Sequence, residues 1–258
     1  MNSLFHKTLS VLFPRRCPVC GKMTDSASPG LCHECAGNLA VEYEKLCPLC
    51  KRKATACTCS PEALAPEEAS VIAIGFYEPG KASALTSRLV YALKHQTDDA
   101  AAHILARELA GAILKEFLAG NEDIRTWTIT YAPRSVSGYE KAGFDQAQRL
   151  AKLCARYTGA RYESIFRRRG GEAQKTLSAA DRGANAADSI RLQHPGRKHT
   201  GKYIVVDDIL TTGATLAECA RLLRPCGAES VRIAVPYRTL PRRPKKELWY
   251  APIGKNSQ

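Results

Sequence analysis

Two groups of residues in this chain have types and spacings that could do chemistry. The first is a set of cysteines. Of eleven, eight lie between Cys17 and Cys59. They come as Cys17 and Cys20, Cys32 and Cys35, Cys47 and Cys50, and finally Cys57 and Cys59. Two thiolates separated by two residues can grip one tetrahedral ion from a tight turn, with both sulfurs inward and backbone N–H groups steadying the charge. Gly21, directly after Cys20, suits the tight backbone of such a knuckle. Two pairs close a four-sulfur site, so eight cysteines predict two zinc ions. Sequential pairing is the simplest arrangement. A cross-braced pairing stays open, because the first gap between pairs is as long as the second. Four sulfurs leave no open coordination position, so the metal is expected to be structural, holding together a segment too small for a core of its own. A disulfide module would need an oxidising compartment. The start, "MNSLFHKTLSVLFPRRC", lacks a small-residue cleavage site and reads as an amphipathic first helix, not a signal peptide. Cys154, Cys219 and Cys226 fall singly in predicted helices or their ends, where buried free thiols are common.

The second group is the stretch "YIVVDDILTTGATL", Tyr203 to Leu216. Four β-prone residues run into Asp207 and Asp208. A loop of Thr211, Thr212, Gly213, Ala214 and Thr215 then opens a helix. At a strand-to-helix turn the first N–H groups are not used by the helix, and the helix dipole favours an anion there. Threonine hydroxyls add donors, and Gly213 lets the backbone turn sharply and come close. A phosphate monoester fits such a cup. The carboxylates before it would repel a second phosphate and would instead accept hydrogen bonds from neutral hydroxyls. A phosphate and a diol held side by side describe a ribose 5-phosphate.

The elements that must position these groups alternate along the chain. "SVIAIGFY", "TWTITYAP", "YIVVDD" and "SVRIAVPY" read as strands. "ASALTSRLVYALKHQ", "AAHILARELAGAILKEFLA", "GFDQAQRLAKLCARYTG" and "GATLAECARLLRPCG" carry helical spacing. Strands alternating with helices predict an α/β fold around a mostly parallel sheet flanked by helices. Ligands of such sheets sit at the carboxyl ends of the strands. Asp207 and Asp208 are at one such end, and Pro133, Arg134 and Ser135 are at another. The chain divides as a cysteine module over 1–60, a polar Pro-containing linker over 61–69, a long domain over 70–240 and a basic tail over 241–258. No internal repeat is evident, and no apolar run is long enough to span a bilayer.

The formal net charge is +13, which favours phosphorylated or nucleic-acid partners. The Tyr203–Leu216 stretch resembles the phosphoribosyl-pyrophosphate motif of type I phosphoribosyltransferases. That resemblance implies that Asp207 and Asp208 grip the ribose hydroxyls and that Thr211 to Thr215 grip the 5′-phosphate. It also implies that Pro133, Arg134 and Ser135 form the pyrophosphate loop, with magnesium bridging pyrophosphate and ribose oxygens. A cysteine-rich N-terminus ahead of such a domain resembles the ComF family. "LVYALKHQTD", "GFDQAQRLA" and the spaced Gln174, Leu177, Arg182 and Asn185 agree with it. The chain departs from the family's pattern in "SVSGYEKAG", where only Lys141 is basic. Basic residues lie instead in "FRRRGGEAQK", Phe166 to Lys175, which reads either as a lid or as a solvated basic loop. The family implies a cytoplasmic protein of competence and DNA uptake, binding phosphoribosyl pyrophosphate or a nucleotide. Single-stranded DNA and other DNA-uptake proteins are its implied partners. Two other roles fit the same residues: an active phosphoribosyltransferase with a nucleobase-like acceptor, and a nucleotide-binding regulator.

Overall fold

β-Branched and aromatic residues concentrate in short runs, and these become strands. The computed structural model describes residues 15–24, 30–59, 61, 63–64, 69–95, 99–134, 144–168 and 189–240. The strands are β1 (Ser70–Tyr77), β2 (Trp127–Tyr131), β3 (Arg161–Tyr162), β4 (Phe166–Arg168), β5 (Ile190–Leu192), β6 (Gly201–Val206), β7 (Ile209–Leu210) and β8 (Ala228–Thr239). The helices are α1 (His33–Tyr43), α2 (Leu85–His95), α3 (Ala100–Ala119), α4 (Gln146–Thr158) and α5 (Ala214–Leu223). Short 3₁₀ turns sit at Ala54–Ala56, Ile124–Thr126 and Arg224–Cys226. The main sheet runs β1-β8-β6-β2-β3, with β7 also on β8, and every pairing in it is parallel. Parallel neighbours cannot be joined by hairpins, so α2 to α5 carry the crossovers.

Both faces of the sheet are covered. In β6, Ile204 and Val206 point into a core with Leu89, Leu93, Leu105, Ile113 and Leu150. The alternate residues Tyr203 and Val205 join Leu216, Cys219, Leu223 and Ile233 on the other face. Helix α4 starts at Asp145, whose carboxylate accepts the Gln148 N–H at 3.1 Å, and ends at Gly159 with φ 77°. The central ladders skip Pro236, which has no N–H to give. Asp207 and Asp208 stand opposite that gap, between β6 and β7.

Sequence periodicity placed β1, β2, β6, β8 and the four helices of the long domain but missed the two-residue strands β3 and β7 and the β4–β5 hairpin. That hairpin is antiparallel, and its strands are joined through residues 169–189, so no short turn announces it. A second correction concerns repetition. Cys17–Gly21 and Cys47–Lys51 fold alike: Gly21 and Lys51 donate to the Cys17 and Cys47 carbonyls at 2.9 and 3.0 Å, both with positive φ. Each turn is flanked by one antiparallel bridge, Arg16 with Met23 and Leu46 with Lys53. The cysteine module is thus built from two similar knuckles, a repeat too short to register as sequence self-similarity.

Candidate functional site

The eight cysteines gather as two clusters, Cys17 with Cys20, Cys32 and Cys35, and Cys47 with Cys50, Cys57 and Cys59. Within each, all sulfurs lie within 4.8 Å of one another. This is the sequential arrangement. Cys20 and Cys32 sulfurs are 3.5 Å apart, Cys47 and Cys59 3.8 Å, and Cys50 and Cys57 3.6 Å. A zinc ion with sulfurs at ~2.3 Å in a tetrahedron sets them about 3.8 Å apart. The donor sets therefore fit zinc, with all four positions filled by protein.

Neither knuckle stands alone. Cys17, Val19, Cys35 and Leu39 belong to the same core as Leu89 and Leu93 of α2. The Arg88 guanidinium donates to the Val19 carbonyl at 2.5 Å. The Glu42 carboxylate, at the end of α1, accepts the Leu85 N–H at 2.7 Å and the Thr86 N–H at 3.1 Å, capping α2 from another element. The second knuckle rests on β8: buried Arg238 donates to the Cys57 carbonyl at 3.0 Å and to the Cys59 carbonyl.

The acid pair sits at the carboxyl end of β6. The Asp207 N–H reaches the Ala234 carbonyl at 3.3 Å, and its carboxylate accepts the Asp208 N–H at 2.8 Å. Burial, reinforced by the Asp208 charge, holds the Asp207 carboxyl well above the usual carboxylate range. Asp208 pairs with Lys94 on the last turn of α2 at 3.0 Å. Gly213 is the N-cap of α5, with φ 81° and no side chain of its own, and the Thr212 hydroxyl accepts the Ala214 N–H at 3.5 Å. A Cβ there would meet Leu64 and Pro61, each at 3.1 Å. Leu64 is fully buried, so residues between the knuckles and β1 pack directly on the threonine loop. Thr211 and Thr212 are exposed.

The strand-end loop at Pro133 meets this loop through Arg168. Its Nε donates to the Pro133 carbonyl at 2.8 Å, and its other nitrogens reach Ser189 Oγ at 3.4 Å and Thr215 Oγ1 at 3.5 Å. Burial lowers the Arg168 pKa, opposed by Cys219, Asp207 and Asp145, yet a guanidinium stays charged. Asp145 accepts the Arg134 N–H at 2.9 Å, which fixes the loop against the start of α4, and Arg134 donates to Gln146. Ser135, Lys141, the spaced Gln174, Leu177, Arg182 and Asn185, the first helix and the 241–258 tail lie outside the described residues.

The sequence singled out the acids and the threonine loop, marked Arg168 only as one of the basic residues of the Phe166–Lys175 lid or loop, and gave Lys94 no role. Three consecutive arginines follow Phe166. Only strand alternation selects Arg168: Phe166 is buried, Arg167 is exposed and Arg168 returns to the inner face. Lys94 falls in the quoted helix, and nothing local shows that its end meets Asp208.

Two family models match separate stretches of the chain. The phosphoribosyl transferase domain family matches residues 103–253, and the double zinc ribbon domain family matches residues 8–67. The DNA utilization protein YhgH of Escherichia coli O6:H1 is 31% identical over 229 residues, 82% of this chain and 98% of that protein. An adenine phosphoribosyltransferase of Gluconobacter oxydans is 33% identical over 106 residues, 41% of this chain and 56% of that protein. Among solved structures, glutamine phosphoribosylpyrophosphate amidotransferase from B. subtilis, complexed with ADP and GMP, is 18% identical. It covers 57% of this chain and 30% of its own, with a TM-score of 0.37. Among the described residues no helix is long and apolar enough to cross a membrane.

Proposed function

The chain belongs to the ComF family, a double zinc ribbon joined to a phosphoribosyl transferase domain, and we propose that it binds phosphoribosyl pyrophosphate or a related ribose 5-phosphate in the handling of single-stranded DNA. One observation carries the reading: a half-buried acid pair and a threonine loop at one strand end are tied through Arg168 to the Pro133 loop at the next. Asp207 and Asp208 would accept the ribose hydroxyls. The N–H groups and hydroxyls of Thr211 to Thr215 would hold the 5′-phosphate. Pro133, Arg134 and Ser135 would take the pyrophosphate. Magnesium takes oxygen ligands, and the acid pair together with substrate oxygens supplies that donor type. The two zinc ions are structural. The DNA partner, a cytoplasmic location and contacts with other DNA-uptake proteins rest on the printed name of the YhgH relative, on family membership and on the basic charge.

A second reading, phosphoribosyl transfer to a nucleobase-like acceptor, draws support from the adenine phosphoribosyltransferase likeness. Such transfer asks the protein mainly to position the reactants and stabilise the departing pyrophosphate. Isothermal titration with magnesium and phosphoribosyl pyrophosphate tests the site. Wild type binds, and the double variant Asp207→Ala/Asp208→Ala loses binding at least tenfold; equal affinity in the two would overturn the assignment. Pyrophosphate release across purine, pyrimidine and nicotinate acceptors separates transferase from binder.

A further inference from the structure

The carboxyl edge of the sheet carries more than the acid pair. A groove of about 550 Å³ opens beside the end of β1. Pro18 and Val19, at the tip of the first knuckle, wall one side, and one face of α2 walls the other. On that face Tyr91 is 63% exposed, and its ring centroid lies 4.4 Å from that of His95. Lys81, Arg88 and Lys94 bring three cations, and none of the described lining residues is acidic. Each cation is held at the wall by a fixed partner: Lys81 by Glu78 at 3.4 Å, Arg88 by the Val19 carbonyl and Lys94 by Asp208.

The lining selects a ligand class. Asp208 balances Lys94, but Glu78 is shared by Lys45 and Lys81 and the Val19 carbonyl carries no charge, so the wall keeps net positive charge that a purely apolar ligand would not use. An inorganic anion would leave the exposed rings in water. A planar aromatic group carrying negative charge uses both. β1 lies two strands from β6 in the sheet order, and Lys94, which lines the groove, pairs with Asp208 at 3.0 Å, so the groove opens beside the acid pair. The groove is therefore a second station on the same edge, and Lys94 is common to both.

We propose that this groove is a nucleotide subsite, in which a base stacks on the Tyr91–His95 pair and a phosphate meets Lys81 or Arg88. A free nucleotide and one unit of a single strand present the same chemistry. The inference rests on the DNA-handling reading only for the polymeric source.

The probes are 2-aminopurine deoxynucleoside monophosphate and a thymidine decamer carrying one 2-aminopurine, whose fluorescence is quenched on stacking. Each is titrated into the zinc-loaded full chain as wild type, Tyr91→Ala and Tyr91→Phe, with zinc content and melting temperature as the check on folding. Wild type and Tyr91→Phe are expected to quench alike, and Tyr91→Ala to bind about tenfold more weakly. Decamer affinity should fall with added salt. If wild type binds the decamer and Tyr91→Ala matches it, the groove is overturned while the DNA reading stands. If the mononucleotide binds through Tyr91 and the decamer does not bind, the groove stands, its source is the free nucleotide and the DNA reading fails. If neither probe binds wild type, both fail.

Discussion

Asp207, the proposed ribose ligand, carries a cost in the fold. Its carboxyl is enclosed beside Asp208, with Asp145 also near enough to raise its pKa. The folded chain therefore holds this proton more tightly than the unfolded chain does. Stability falls as pH rises from the ordinary value of 3.8 toward the raised one, and the full cost is present above it. Replacing the charge with an amide should relieve that cost. Asp207→Asn is expected to stabilise the ligand-free protein by roughly 0.5–2 kcal/mol at pH 8, with the gain shrinking as pH approaches 4. It should also weaken phosphoribosyl pyrophosphate binding. Thermal melts across pH measure the first effect, and superimposable curves for variant and wild type would contradict it. Gly213 is constrained differently. Its positive φ and the 3.1 Å approach of Leu64 and Pro61 make any side chain there strained and crowded, whatever ligand the loop holds.

At the scale of elements, α2 joins the two chemistries. Its first N–H groups are taken by Glu42 of α1, its middle holds the first knuckle through Arg88, and its end offers Lys94 to Asp208. A cap normally comes from the residue just before a helix; here a carboxylate from another element does that work and also opposes the helix dipole. Glu42→Ala should cost about 1 kcal/mol by denaturant unfolding. Amide exchange should quicken at Leu85 and Thr86. Unchanged exchange at those amides would mean that the cap contributes nothing. Helical spacing had already marked α2, because apolar positions on one face reveal a helix. Its end contacts were not legible, since Glu42 and Asp208 are remote in sequence and no local pattern encodes them.

At the scale of the molecule, the zinc ribbons are built into the larger domain. The first shares its core, and the second hangs on Arg238 of β8, next to the strand pair Leu210–Arg238 that leads into the threonine loop. Residues 61 and 64, from the stretch that composition marks as a linker, press on Gly213. Removing zinc should therefore destabilise the whole described body, not the ribbons alone. Calorimetry with and without a strong chelator is expected to show one transition, shifted down by ten degrees or so, together with weaker phosphoribosyl pyrophosphate binding. A main transition unmoved by the chelator would show that the larger domain folds independently of the metal.

The sequence by itself determined the fold class, the two sulfur clusters as a donor inventory, and the acid pair followed by a threonine loop. Each is written in local spacing: gaps of two residues, and one in the last pair, between cysteines, alternating strand and helix periods, and a strand run directly into Asp207. The tertiary structure decided the partners. It chose sequential over cross-braced pairing of the cysteines, turned Arg168 rather than Arg167 inward, brought Lys94 to Asp208 and laid Leu64 on Gly213. Those choices depend on which surfaces the parallel sheet brings together after its crossovers. The same packing set Tyr91 and His95 beside three cations at the edge that holds the acids.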